Sequence, residues 1–367
     1  MLTIKRLTFS LLLLFYITTS VKGSGQAAQP AKTCTVNLDL LPLQRWNNFT
    51  SSCGFNLTKG REIINALIKS VVKPEVIELL QDVGAKLDDY LPLPYSDELR
   101  GLSSTLGLPL GDLVILNLLY DITAYDDSSS KACTSIVASD KQNKIIHGRN
   151  LDYQMQPKYL REITIQVDFQ RNKKSLFMAT TYVGYIGVIT GCRHGAFSIS
   201  GDERDKGKLW KNILTALNGG KSTFFAQRMI LEQARNYEEA LQMAINIPTI
   251  APVYFILGGV KSWEGAIVVK DSGKVANVSL LGSDLKHPWY IVETNYDPWL
   301  SPPATDDRRD AAINAMNKVG KNNFSPEQLY NVLSVNLVFN KDTTYTTIMS
   351  AADPSVYHTM IRYDAPN

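Results

Sequence analysis

Cys133-Thr-Ser-Ile-Val-Ala-Ser-Asp140 and its continuation Ile145-Ile-His-Gly-Arg-Asn-Leu-Asp152 decide how the rest of the chain is read. Both stretches are rich in β-branched residues, and the polar Lys141-Gln142-Asn143 between them suits a turn, so the pair predicts a β-hairpin. A turn centred on Gln142 sets Cys133 across from about Leu151. Arg149, Asn150 and Asp152 then lie beside the thiol at the open end of the hairpin. A cysteine, a cation and a carboxylate converging on one sheet end can support nucleophilic chemistry. Strict alternation places Arg149 and Asp152 on opposite faces, so the strand is expected to end or bulge between them. Upstream, Asp126-Asp-Ser-Ser-Ser-Lys-Ala132 has the composition of an exposed linker. Cleavage between Ala132 and Cys133 would make the cysteine a new N-terminus.

At the start of the chain, Met1 to about Gly23 reads as a secretory signal peptide. Lys5 and Arg6 form the positive region, Leu7 to Ile17 the short apolar run, and Val21-Lys22-Gly23 the cleavage zone. That run is short for a bilayer-spanning anchor, so cleavage and a soluble, lumenal mature protein are expected. Secretion gives meaning to the sequons at Asn48, Asn56, Asn277 and Asn323 as glycosylation sites. The formal net charge is only +3, with acids and bases intermixed, which gives no nucleic-acid signature. Four cysteines are too few for a disulfide scaffold. Cys34 and Cys53 either pair or stay free, Cys192 reads as a packed thiol, and Cys133 is left as the reactive candidate. No cysteine and histidine spacing suggests a metal site.

Between these landmarks, residues 60–125 read as helices. Apolar residues at 63, 64, 67, 68, 71 and 72 keep a helical period. Pro74 opens a second helix running to about Tyr90, and the segment from Asp112 to Tyr120 is apolar nearly all round. These helices are expected to cap the core, and exposed apolar side chains among them could touch lipid aggregates. Strands are expected at Ile163–Phe169, Leu176–Tyr182 and Tyr185–Thr190, with Gly184, Gly187 and Gly191 as bends. Helices follow at about Lys208–Asn218, Ser222–Arg235 and Asn236–Asn246, the last with a capping pattern of Asn236 and Glu239. Further strands are read at Val253–Leu257, in a hairpin from Ile267 to Leu281, and at Trp289–Glu293. Helices near Asp306 and after Pro326, then strands at Tyr345 and Tyr357, complete an order compatible with an α+β sandwich.

The two opening stretches resemble the head of the mature catalytic subunit in the acid ceramidase and N-acylethanolamine acid amidase family. Ser200-Gly-Asp-Glu-Arg-Asp-Lys-Gly207, Glu293-Thr-Asn-Tyr-Asp297, Asp306-Asp-Arg-Arg309 and Tyr345-Thr-Thr-Ile-Met-Ser350 follow in the family's order, so the resemblance covers essentially the whole mature chain. It implies an N-terminal-nucleophile αββα sandwich with an N-terminal helical portion. It also implies an autoproteolytically activated cysteine amidase of fatty acid amides that needs no cofactor and works in the lysosome. The division expected is 1–23 signal peptide, 24–132 helical α-subunit and 133–367 catalytic β-subunit, associated as a heterodimer able to contact membrane or lipid aggregates peripherally. The Ser200–Gly207 octapeptide is more similar to the N-acylethanolamine-hydrolysing branch than to the ceramidases. Ceramide cleavage is the alternative, and a non-catalytic lipid-binding relative is a second one of a different class.

By this resemblance Cys133 is the nucleophile and, once freed, its own α-amine is the base. Asp152 orients that amine, Arg149 steadies the thiolate and positions the acyl oxygen, and Asn295 donates to the oxyanion. Glu203 matches an active-site position of less defined role. Its neighbours Asp202, Arg204, Asp205 and Lys206 read as a solvated or salt-bridged loop, and Asp306-Asp-Arg-Arg309 as a structural helix start. His147 shares strand parity with Arg149 but reads as a packed strand histidine.

Overall fold

The computed structural model describes residues 27–71, 91, 93–123, 133–154, 156–204, 206–208, 211–212, 215, 218–303 and 306–366. In chain order the strands are β1 (Gln29–Pro30), β2 (Lys32–Asn37), β3 (Cys133–Ser139), β4 (Ile145–Asp152), β5 (Thr164–Arg171), β6 (Lys174–Tyr182), β7 (Thr190–Arg193), β8 (Phe197–Glu203), β9 (Val253–Gly258), β10 (Gly265–Asp271), β11 (Lys274–Leu280), β12 (Tyr290–Glu293), β13 (Thr343–Met349) and β14 (Tyr357–Ile361). The helices are α1 (Phe49–Cys53), α2 (Leu57–Val71), α3 (Tyr95–Leu106), α4 (Leu110–Thr123), α5 (Pro157–Ile163), α6 (Thr223–Gln233), α7 (Tyr237–Asn246), α8 (Arg308–Val319) and α9 (Pro326–Val332). The signal peptide, the helix expected after Pro74, the linker with Ala132, and most of the helix expected at 208–218 lie outside the described residues.

Two sheets stack between helical layers. One has the order β1-β14-β13-β4-β3-β12 and the other β11-β10-β9-β8-β7-β6-β5-β2. Alternation along each strand divides its residues between the two faces. On β3 and β4, Val137 and Ile145 meet Tyr254, Ile256, Ile267 and Val269 of the other sheet. The intervening Ile136, Ala138 and Ile146 instead pack on Ala312, Met316, Leu329 and Val332 of α8 and α9. The opposite sheet turns Phe255, Leu257, Ala266 and Val268 outward, into the core it shares with Phe224, Leu231, Leu241 and Ala244 of α6 and α7. The result is the αββα sandwich.

The hairpin has the expected register, with Cys133 opposite Leu151 and Ser135 opposite Arg149. Helix α9 presses closely on its outer face. A Cβ at Gly148 would lie 2.6 Å from a Leu329 methyl, so a larger residue between His147 and Arg149 would have to push the helix away. The irregularity expected between Arg149 and Asp152 lies instead in the partner strand. β13 shifts register between Thr343 and Tyr345, leaving Asp152 opposite Thr343 and Leu151 opposite Tyr345.

Two other expectations are corrected. No strand spans Tyr185–Thr190: β7 begins at Thr190. Gly184 adopts φ +87°, and a Cβ there would meet Leu116 and Ile64 at 2.9 and 3.0 Å, so the chain turns tightly beneath α2 and α4. The N-terminal portion is also more than helical. β1 adds to the edge of one sheet by pairing with β14, and β2 runs parallel to β5 on the edge of the other. Cys34 and Val36 alternate inward along β2, and a Cys34–Cys53 disulfide ties that strand to α1. Elsewhere local signals act as read. Asn236 caps α7 by accepting the Glu239 N–H at 2.9 Å, and Ser325 caps α9 by accepting from the Gln328 N–H, with Pro326 in the first turn.

Candidate active site

Cys133, Ser135, His147 and Arg149 share the inner face of the β3–β4 hairpin. All are buried. Arg149 Nη2 donates to Cys133 Sγ at 3.2 Å, to the Gly201 carbonyl at 3.1 Å and to Asp202 Oδ1 at 3.3 Å. Its Nη1 donates to Thr190 Oγ1 at 2.9 Å. Burial works against the Arg149 charge, but Tyr345, Cys133 and Asp202 outweigh it and keep the guanidinium firmly protonated. Burial pushes the Cys133 thiol up to about 12, against the pull of Arg149, while the carboxylates of Asp202 and Asp152 add to the rise. The sulfur is therefore held as a thiol.

The second half of the site reaches the backbone of Cys133. Its N–H donates to Asn295 Oδ1 at 2.6 Å, just beyond β12. Arg308, the first residue of α8, donates from Nη1 to the Cys133 carbonyl at 2.6 Å and from Nη2 to Asn295 Oδ1 at 3.0 Å. Asp306 braces the same guanidinium through Nε at 2.6 Å. Arg308 was expected to be part of a structural helix start, yet the packing of α8 on the outer face delivers it to the Cys133 main chain. Its signal in the sequence was the Asp306–Arg309 motif itself.

Asp152 does not receive the Cys133 N–H in this state. Its side chain lies on the face opposite the thiol, accepts from Asn340 Nδ2 at 2.9 Å and stands 3.8 Å from Arg308 Nη1. Burial raises its carboxyl to about 6, with Arg308 opposing. Nor is the Asn295 amide nitrogen aimed at an oxyanion: it donates to the Glu203 carbonyl at 2.8 Å. Glu203 ends β8 and lines a cavity of about 50 Å³ beside Cys133, with Leu67, Leu116, Leu119, Tyr182 and Phe224 among its walls. That cavity is almost wholly apolar in its lining.

Asp202 corrects the reading of its segment as a solvated or salt-bridged loop: it forms a salt bridge, but from within strand β8. Phe197-Ser-Ile-Ser-Gly-Asp-Glu203 alternates, so Phe197 and Ile199 face the helices while Ser198, Ser200 and Asp202 face the hairpin. Asp202 is buried against Arg149, and that period of two was the available signal. Its neighbours do form salt bridges: Arg204 with Asp297 and Asp271, and Lys206 with Asp297. His147 is a packed strand histidine. It sits 3.0 Å from both the Ser198 and Ser200 hydroxyls, and burial, followed by Arg149, lowers it to about 3.

Among the described residues no group of three or more His, Cys, Asp or Glu is placed to hold a metal ion. Likewise no described helix is long and apolar enough to cross a membrane. The four sequon asparagines are exposed.

Residues 133–320 match the family of linear amide C–N hydrolases, choloylglycine hydrolase family, so the match begins on Cys133. Residues 29–91 match a family described as the beta subunit of N-acylethanolamine-hydrolyzing acid amidase, a subunit label opposite to the one expected for this segment. The N-acylethanolamine-hydrolyzing acid amidase of Rattus norvegicus is 40% identical over 328 residues, covering 89% of this chain and 88% of that protein. Acid ceramidase of Homo sapiens is 35% identical over 338 residues, covering 86% and 82%. A solved Caenorhabditis elegans N-acylethanolamine-hydrolyzing acid amidase ortholog superposes with TM-score 0.55 at 37% identity, covering 61% of this chain and 95% of that one. The chain therefore belongs to the linear amide C–N hydrolases of the choloylglycine hydrolase family, within the group that includes N-acylethanolamine-hydrolyzing acid amidase and acid ceramidase.

Proposed function

We propose that the protein hydrolyses N-acylethanolamines to fatty acid and ethanolamine in the lysosome, after cutting its own Ala132–Cys133 bond. The observation that carries this reading is the placement of Cys133. The amide-hydrolase match starts on it, Arg149 touches its sulfur, and Asn295 and Arg308 hold its main chain. In the first reaction the thiol attacks the Ala132 carbonyl. The peptide C–N bond breaks as a thioester forms, and the Cys133 nitrogen takes up a proton as an amine. Water then hydrolyses the thioester to the Ala132 carboxylate and a free thiol.

The new amine can take the thiol proton, a role closed to it while it is a peptide nitrogen. The thiolate attacks the substrate carbonyl, the ethanolamine nitrogen leaves with the proton held by the α-amine, and water releases the fatty acid. Cleavage also turns one Cys133 N–H into an ammonium with more donors; Asn295 Oδ1, which already accepts that N–H, and Asp152 are the acceptors proposed for it. The apolar cavity beside the sulfur suits the first methylenes of an acyl chain. The Ser200–Gly207 motif favours an ethanolamine over a sphingoid leaving group.

Mass spectrometry of products from a panel of N-acylethanolamines and ceramides, at acid pH in matched detergent, tests the substrate. Faster fatty acid release from the N-acylethanolamines is expected, whereas faster ceramide turnover would assign the protein to the alternative. Release from neither class, with lipid binding retained, would mark a non-catalytic relative. Colocalisation of the tagged full chain with a lysosomal marker tests the compartment.

A further inference from the structure

Arg149 Nη2 carries two hydrogens and faces three acceptors: Cys133 Sγ at 3.2 Å, the Gly201 carbonyl at 3.1 Å and Asp202 Oδ1 at 3.3 Å. Sulfur and carboxylate thus compete for one end of one guanidinium. Behind Asp202 runs a buried line of polar groups. Asp202 Oδ1 lies 2.9 Å from Ser135 Oγ, which is 2.9 Å from Ser200 Oγ. Ser200 Oγ lies 3.0 Å from His147 Nε2, and His147 Nδ1 lies 3.0 Å from Ser198 Oγ, which donates to the Gly258 carbonyl at 3.2 Å.

Each hydroxyl has one proton, so the line can be satisfied in two directions only. With Asp202 ionised, Ser135 donates to it, Ser200 donates to Ser135, His147 donates from Nε2 to Ser200, and Ser198 donates to Nδ1. With Asp202 protonated every arrow reverses: Asp202 donates to Ser135, Ser135 to Ser200, Ser200 to Nε2, Nδ1–H to Ser198, and Ser198 to Gly258. The reversed direction keeps the Ser198–Gly258 bond, whereas Ser135 donating to Asp202 Oδ1 belongs to the first, so the geometry accommodates both.

From this geometry we propose that Asp202 is a positioning residue for the nucleophile, acting through Arg149: neutral, it leaves the guanidinium to the sulfur, and ionised, it draws that charge away. The inference rests on Cys133 being the nucleophile of the amide hydrolysis proposed above. The other charged or titratable groups whose fields reach Asp202 are Arg149 and Asp152 on β4, Cys133 on β3, Glu293 on β12 and Arg308 on α8, while His147 on β4 connects to it through Ser200 and Ser135. Burial keeps Glu293 neutral well above the usual carboxylate range, and it holds His147 neutral down to about 3. Burial likewise raises Asp202 to about 7, with Arg149, Ser135 and Arg308 opposing. Asp202 Oδ2 has no hydrogen-bond partner among the described residues, as befits a carboxyl that carries its proton on the other oxygen. Arg149 is therefore most available to sulfur in acid.

The test compares the processed wild type with Asp202→Asn, which keeps the shape and removes the competing charge. The readout is the rate of Cys133 alkylation by iodoacetamide, followed on its own peptide. The variant-to-wild-type ratio is expected near one at pH 5 and about tenfold at pH 8, the effect of one unit of differential stabilisation of the thiolate. A ratio that stays flat, or falls below one at pH 8, overturns the assignment. Nitrogen NMR of the wild type needs no variant: His147 should be protonated on Nδ1 at pH 5 and on Nε2 at pH 8. The same tautomer at both pH values overturns it equally. Alkylation and tautomer do not depend on which amide is cleaved, so failure of the N-acylethanolamine assay with both effects present would reject that substrate and leave Asp202 in place.

Discussion

Asn295 Oδ1 receives the Cys133 N–H at 2.6 Å while the nitrogen of the same side-chain amide donates to the Glu203 carbonyl at 2.8 Å. One asparagine therefore holds the Cys133 main chain, and its donor is engaged by the end of β8. A peptide N–H and an oxyanion ask for opposite ends of that amide, so the oxyanion role expected of Asn295 requires its nitrogen to leave the Glu203 carbonyl.

Replacing Asn295 by Ala removes both. Turnover of the processed enzyme should fall about 10²–10³-fold, the usual loss for an oxyanion donor. Self-cleavage should slow as well, because the Cys133 N–H loses its acceptor. Steady-state kinetics alongside gel-resolved processing checks the pair, and normal rates in both would return Asn295 to a turn role.

Acid should stabilise the fold. Burial raises Asp152 to about 6 and Asp202 to about 7, and it raises Glu293 further. Between the ordinary carboxylate value of about 4 and these raised values, the folded protein holds more protons than the unfolded chain, so stability falls as pH rises through that window. Two groups have the opposite sign: burial lowers His147 to about 3, which offsets part of this gain below the ordinary imidazole value of about 6.5, and Arg228 and Arg45 overcome burial to hold Glu98 below its usual value, so its contribution is lost only in stronger acid. Melting temperature should therefore be higher at pH 5 than at pH 7.5. Asp202→Asn should flatten that slope, and an unchanged slope would remove Asp202 from the account.

These groups also mark the limits of what the sequence disclosed. The β3–β4 hairpin was legible because two β-branched runs flank a polar turn, and Cys133 pairs with Leu151 as counting from Gln142 requires. Arg308 and Asp202 were not read as site residues, for different physical reasons. Arg308 gets its role from helix packing across the outer face, a contact 175 residues from Cys133 that no local pattern encodes. Asp202 was obscured by charged neighbours, although Ser198, Ser200 and Asp202 alternate strictly with Phe197, Ile199 and Gly201. β2 was missed because its buried Cys34 and Val36 are separated by polar residues in a short edge strand.

The N-terminal segment is held by more than apolar contact. Arg228 donates from both terminal nitrogens to Glu98 at 2.8 Å, and Arg45 and Trp46 donate to the same carboxylate at 2.5 and 3.1 Å. Glu98 and Arg228 are fully buried. Arg228→Ala should cost about 3–5 kcal/mol, the range for breaking a buried pair from one side. Denaturant titration of the uncut Cys133→Ala chain, with and without the second change, measures it. A loss within about 0.5 kcal/mol, as for a change on the surface, would place the pair's value elsewhere.

Cys133→Ala tests the double role of the thiol. The variant keeps the backbone N–H that Asn295 accepts and the carbonyl that Arg308 grips, so the fold should persist. It loses the thiol proposed to attack the Ala132 carbonyl. The protein should stay one chain at acid pH and release no fatty acid. Wild type should yield a large fragment beginning Cys-Thr-Ser-Ile. The two pieces should remain associated without a covalent link, because Cys34 pairs with Cys53 inside the N-terminal piece and Cys133 and Cys192 are free. The forces available are β1 and β2 on the sheet edges, Glu98 with Arg228, and Asn117, which donates to the Gly184 carbonyl at 2.8 Å and accepts the Ile186 N–H at 2.9 Å. Co-elution of both fragments without reductant, and again with it, is the expected result. Full activity in uncut wild type, or the same N-terminus from Cys133→Ala without added protease, would mean that another group cuts the bond and that Cys133 needs no free amine.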